Sequence, residues 1–122
     1  MNRFVVDTKT SVPALIASLE SRGCDVRVME DPQTKGEFFD EVKRLFDLDP
    51  PLVGWDSWDA LSDSLWGGLD RMEAPLVALI WRGGAKTNAA YAELGRAVLR
   101  DVSENLQDAT NESTTFLVVL AG

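Results

Sequence analysis

Two stretches of unbroken apolar sequence, Pro75-Leu76-Val77-Ala78-Leu79-Ile80-Trp81 and Phe116-Leu117-Val118-Val119-Leu120, constrain the fold most tightly. Each has the length of a strand and neither alternates with polar residues, so both faces of each strand must be covered by the rest of the chain. Between them Tyr91, Leu94, Val98, Val102 and Leu106 recur at helical spacing, with Glu93, Arg96, Arg100, Asp101 and Glu104 on the other sides. That spacing predicts a long amphipathic helix, capped by Thr87 or Asn88 and running to about Gln107. Arg82-Gly83-Gly84 supplies the turn that leaves the first run, and Asn111 to Thr114 is polar and turn-like.

The upstream chain repeats the alternation of strand and helix. Residues 3 to 7 read as a short strand, and Ser11-Val12-Pro13 provides a cap and a first-turn proline for a helix with Ala14, Leu15, Ile16 and Leu19 on its apolar face. Gly23 ends that helix, Cys24 to Met29 reads as a second strand, and Glu30-Asp31-Pro32 turns the chain. Thr34 to Leu48 carries Phe38, Phe39, Val42, Leu45 and Phe46 at helical spacing, with Glu37, Asp40, Glu41, Lys43 and Arg44 outside. The expected architecture is α/β: a small parallel sheet flanked by helices. With 122 residues the chain suffices for one domain, 1–122, that buries roughly two-thirds of its unfolded surface without disulfide or metal.

The stretch Pro50 to Leu69 carries the functional signal. The double proline and Gly54 end what precedes them, Asp56 or Ser57 can cap a new helix, and Gly67-Gly68 are expected to stop it. At 100° per residue Trp58, Leu61, Leu65 and Leu69 share one face; Asp56, Asp59, Asp63 and Asp70 form a second stripe, with Trp66 beside it. The first stripe packs inward. The second is not explained by folding, because Asp59 and Asp63 are like charges four residues apart, which costs roughly 0.2–0.5 kcal/mol.

The residue inventory narrows the chemistry. There are no histidines, which removes the usual general acid/base and the commonest zinc ligand. Cys24 is the only cysteine and is expected to be a buried, inert thiol. Arg82-Gly83-Gly84-Ala85-Lys86-Thr87 ends like a phosphate-binding loop but lacks its glycine-to-lysine spacing. Ser57, Ser62 and Ser64 have no base to activate them. An acidic row on a single helix suits Mg²⁺ catalysis poorly, since such sites recruit acids from several elements, although a Mg-dependent hydrolase using Asp56, Asp59 and Asp63 stays as an alternative. The expectation is a protein that is not an enzyme, with no catalytic residues, no cofactor and no metal. A formal charge of −8 disfavours direct nucleic-acid binding and favours a basic protein partner. No apolar run approaches the length of a membrane span or a secretory signal, so the expected location is the cytoplasm. Carboxylates bordered by tryptophans suit a protein interface.

Pro51-Leu52-Val53-Gly54-Trp55-Asp56-Ser57-Trp58-Asp59-Ala60-Leu61-Ser62-Asp63-Ser64-Leu65 resembles the signature of the barstar family: proline, an aromatic pair, then Gly-x-Asn-Trp/Leu-Asp-Ala-Leu-x-Asp-x-Leu. Pro75 to Arg82 is similar to the family's Pro-Leu-Val-Leu-x-Trp-Arg strand. The resemblance implies an intracellular, non-enzymatic inhibitor of a basic, secreted, barnase-like ribonuclease, monomeric when free and forming a 1:1 complex. It implies a three-stranded core over 24–122, preceded by an extra strand and helix over 1–23. Carried over position by position, Asp59 and Asp63 match the family's inhibitory aspartates, the second of which enters the nuclease's phosphate-binding site in place of substrate phosphate. Glu104 matches a further contact on the long helix, with Asp101 the alternative if the register slips. Gly54, Trp55 and Asp56 fall in the binding loop. Ser62 stands where the family carries an interface Trp, Ser57 where it carries Asn, and Leu52-Val53 where it carries the aromatic pair; Trp55 or Trp66 is the candidate replacement aromatic. These departures leave open an immunity or antitoxin module on the same scaffold that binds a different toxin.

Overall fold

The computed structural model describes residues 3–54, 57–72, 74–108 and 114–122. In order the elements are β1 (Phe4–Asp7), α1 (Val12–Ser21), β2 (Asp25–Met29), α2 (Lys35–Leu45), α3 (Trp58–Asp70), β3 (Leu76–Trp81), α4 (Ala92–Asp108) and β4 (Thr115–Ala121). The four strands form one all-parallel sheet in the order β1-β4-β3-β2. The two apolar runs are therefore neighbours at the centre, with Leu79 opposite Val118, and the two less apolar strands take the edges.

Alternation along the central strands decides which layer each residue meets. Val77, Leu79 and Trp81 of β3 and Phe116, Val118 and Leu120 of β4 join Met29 in the main core beneath α2, α3 and α4. Ala78, Ile80, Val119 and Ala121 point the other way and pack on Val12, Leu15 and Leu19 of α1. The strand and helix of residues 1–23 thus complete the sheet, since β1 pairs beside β4 and α1 covers the second face.

Local signals match the observed elements. Ser11 caps α1, its Oγ accepting from the Ala14 amide, and Gly23 takes φ +84° just beyond the helix. Thr34 caps α2 in the same way, and Phe38, Phe39 and Val42 are fully buried. Three expectations need correction. In α1 the inward residue of the first turn is Val12, and Ala14 is exposed. Helix α2 stops at Leu45, since Phe46 turns to an extended conformation that keeps its ring in the core. Helix α4 begins at Ala92, because residues 82–86 and 90–91 are taken up by turns, and Leu94 is 52% exposed. Val98, Val102 and Leu106 are buried as expected, and Ala92, Gly95 and Leu99 join them in place of Leu94; Gly95 belongs there because an added Cβ would lie 3.2 Å from the Phe38 ring. Cys24 is half-buried, and burial pushes its thiol above the ordinary value.

Phe38 is the aromatic hub, with ring centroids 5.2 Å from Trp81, 5.5 Å from Tyr91 and 5.8 Å from Trp58. Tyr91, the only tyrosine, donates its hydroxyl proton to the Pro32 carbonyl, and burial together with the nearby Asp31 carboxylate pushes its pKa up to about 12. A raised pKa means that the folded state favours the neutral phenol. The unfolded chain ionises from its ordinary value of 10.0, so stability is fully retained below that pH and falls between pH 10 and about 12. Tyr91→Phe should lower the neutral-pH plateau by about 1 kcal/mol, because the Pro32 carbonyl loses its donor, while flattening the alkaline slope. Denaturant unfolding at stepped pH checks both; equal slopes in the two proteins would remove Tyr91 as the cause.

Candidate interaction face

The site is built where α2 hands the chain to α3. Phe46 leaves the helix with its ring still in the core, and Asp47-Leu48-Asp49 then run directly against the back of α3. The contact is so close that a Cβ at Gly67 would lie 2.1 Å from the Asp49 carbonyl oxygen, and one at Gly68 2.1 Å from that of Asp47. Helix α3 consequently continues through Gly67-Gly68 to Asp70, contrary to the expectation that these glycines stop it. They are glycines for clearance. The Asp49 amide donates to the Ser64 carbonyl at 3.0 Å, and Arg71 Nη1 pairs with Asp49 Oδ2 at 2.9 Å, which fastens the segment along the helix.

Residues 50–54 carry the chain from this seam around to the start of α3. Leu52 packs against the core, Val53 is 95% exposed, and Gly54 takes the left-handed φ of +78° that glycine adopts without strain. The Gly54 carbonyl accepts a 2.8 Å hydrogen bond from Lys43 Nζ on α2. Trp55 and Asp56, named from sequence for the binding loop and the cap, lie outside the described residues. Ser57 is the cap: its Oγ accepts from the Ala60 amide at 3.1 Å, a contact worth about 1 kcal/mol.

Helix α3 buries Leu61, Leu65 and Leu69, as its spacing predicts. Trp58 is half-buried on the same side, meeting Phe39 edge-on at 4.9 Å, with the Lys35 ammonium 5.6 Å from its ring centroid. Asp59 and Asp63 stand exposed on successive turns of the opposite side. Asp59 lies in the first turn, where the helix dipole favours a carboxylate; Asp63, a turn further on, has much less of that compensation. Ser62 and Trp66 are half-buried beside them, and Trp66 packs on the core, so its indole is held in place. Helix α4 packs along α3 and carries Glu104 and Asp101, both exposed. The face therefore presents carboxylates on a rigid, twice-anchored helix.

The other sequence candidates resolve differently. In the turn after β3 the amides of Gly84, Ala85, Lys86 and Thr87 bond to the carbonyls of Trp81, Ala121 and Gly83, so none is offered to a phosphate. Arg96 ties the same turn down, donating from Nε to the Gly84 carbonyl at 2.9 Å and from Nη2 to that of Thr87 at 2.7 Å. Among the described residues no group of three or more His, Cys, Asp or Glu side chains is arranged to hold a metal ion. None of the described helices is long and apolar enough to cross a membrane. Sequence reasoning missed two features, the clearance role of Gly67-Gly68 and the reach of Lys43 to Gly54; both depend on segments far apart along the chain, and no local pattern announces them.

Comparison with known proteins returns one family. A family model described as Barstar (barnase inhibitor) matches residues 26–121, from the second residue of β2 to the end of β4. No curated protein and no solved structure matches the chain. The family match spans the entire sheet-and-helix core apart from β1 and α1, together with the capped helix that carries Asp59 and Asp63, and on that match the chain belongs to the barstar family.

Proposed function

We propose that this chain is a stoichiometric protein inhibitor of a basic, barnase-type ribonuclease, and that α3 with the loop before it covers the nuclease's active site. The observation that carries the reading is the exposed pair Asp59 and Asp63, set on successive turns of a helix whose other side is fixed in the core. A site built to bind RNA phosphate is lined with cationic donors, and a carboxylate satisfies them with charge-assisted hydrogen bonds of the same kind. Asp63 takes the phosphate position, Asp59 pairs beside it, and Glu104 on α4 widens the contact. Gly54, Trp55 and Asp56 supply the loop side, while Ser62 and Trp66 border the acidic row. The net charge of −8 draws the basic partner in at long range and raises the association rate. Inhibition is by occlusion and needs neither cofactor nor metal. The inhibitor acts in the cytoplasm, one copy per nuclease, protecting the cell before the enzyme is exported.

The test is capture followed by assay. Proteins from the host's secretome and lysate that bind the immobilised chain are tested for RNA cleavage, then titrated with the free chain. Loss of cleavage with an equivalence point at one inhibitor per nuclease is expected. A captured toxin that cleaves no RNA would transfer the same face to an immunity role against another target.

A further inference from the structure

We infer that Lys43 is a positioning residue for the binding loop, holding residues 52–54 in the conformation that meets the nuclease; the inference rests on the inhibitor reading above. Helix α2 is anchored by Phe38, Phe39 and Val42, all fully buried, so a side chain on it is a fixed post. From that post Lys43 Nζ reaches eleven residues along the chain and donates to the Gly54 carbonyl at 2.8 Å. Gly54 takes a φ of +78°, a backbone conformation that glycine adopts without strain, so the carbonyl that Lys43 holds belongs to a turn in the chain. Val53, next to it, is 95% exposed and has no packing of its own to hold the backbone there. The loop is therefore pinned at Leu52 by the core, at Ser57 by the cap, and between them by the lysine.

The sign of the expected effect separates this role from simple charge. Lys43 carries the same charge as the basic partner, so removing it makes the chain more negative and strengthens long-range attraction. If Lys43 acts only as a charge, Lys43→Met binds the nuclease faster and more tightly. If Lys43 positions the loop, its loss populates loop conformations that cannot dock, and apparent affinity falls by the lost fraction of competent molecules.

The experiment compares the intact chain with Lys43→Met and Lys43→Arg, using association and dissociation rates on the captured ribonuclease and hydrogen exchange of the free protein at Leu52–Gly54. Lys43→Met is expected to weaken binding about tenfold, the scale of one hydrogen bond to a charged donor, mostly through slower association. It should also speed exchange at Leu52–Gly54 while leaving the β3 amides and the thermal midpoint unchanged. Lys43→Arg keeps a cationic donor and should restore most of both. Binding that is unchanged or tighter, or weaker binding without faster exchange in the loop, overturns the positioning role. If the unaltered chain binds no ribonuclease, the inhibitor reading falls, and exchange in the free protein still decides whether Lys43 holds the loop.

Discussion

Asp63→Ala lowers affinity for the captured ribonuclease by about 4 kcal/mol or more, roughly a thousandfold, the range of the strongest interface residues. The magnitude follows from what the truncation leaves behind. A phosphate-binding site closed over by α3 loses its water, and the cationic groups facing Asp63 are then buried without a counter-charge, which costs several kcal/mol beyond the lost attraction. Among the described residues nothing in the fold needs the carboxylate: Asp63 is exposed, faces away from Leu61 and Leu65, and repels Asp59 one turn away. Removing it should therefore leave unfolding stability unchanged or slightly improved. Asp7→Ala is the control. Its carboxylate accepts from the Thr10 and Lys9 amides in the turn after β1, which holds its pKa below the usual range, and β1 is an edge strand separate from the acidic helix. Its loss should scarcely change affinity. Rates measured at several salt concentrations should show the Asp63 effect chiefly in dissociation and the salt effect chiefly in association. Equal losses from Asp63→Ala and Asp7→Ala would reduce the interaction to nonspecific attraction by a chain of charge −8.

Much of this face was legible from spacing. The period of Leu61, Leu65 and Leu69 separates a packing side from an acidic side, Ser57 is one of the two caps the sequence offers, and the like-charge pair Asp59 and Asp63 stands exposed on the side away from the core. The central strands were equally legible, because a run such as Leu76 to Trp81 has no polar residue to offer to water. Spacing is silent on contacts made across the fold. Leu94 fits the helical period of α4 as well as its buried neighbours do, yet the row that meets the sheet is set by where the preceding turns release the helix and by the small size of Gly95 against Phe38. Likewise Lys43 is one of several charged residues outside α2, and only the return of the chain to Gly54 distinguishes it from Arg44, which pairs with Glu41 on its own helix.

Gly67-Gly68 is where local rules and tertiary packing conflict, and Gly68→Ala decides between them. By helix propensity the substitution should stabilise the protein by roughly 1 kcal/mol, since the position lies inside α3. Packing predicts the opposite. The new Cβ would stand 2.1 Å from the Asp47 carbonyl oxygen and 3.1 Å from its carbon, and both are backbone atoms that no rotamer change can move aside. Segment Asp47–Asp49 must retreat, and its retreat strains the Asp49 amide bond to the Ser64 carbonyl and the Arg71–Asp49 ion pair. Overpacking of this kind costs about 3 kcal/mol, more than the propensity gain, so the net expected result is a clear loss of stability in denaturant unfolding. The displaced segment leads into residues 50–54, so Gly68→Ala should also weaken nuclease binding although residue 68 is itself buried. A more stable Gly68→Ala protein would show that the seam between α3 and Asp47–Asp49 is loose, and would remove the claim that the acidic helix is held rigidly from behind.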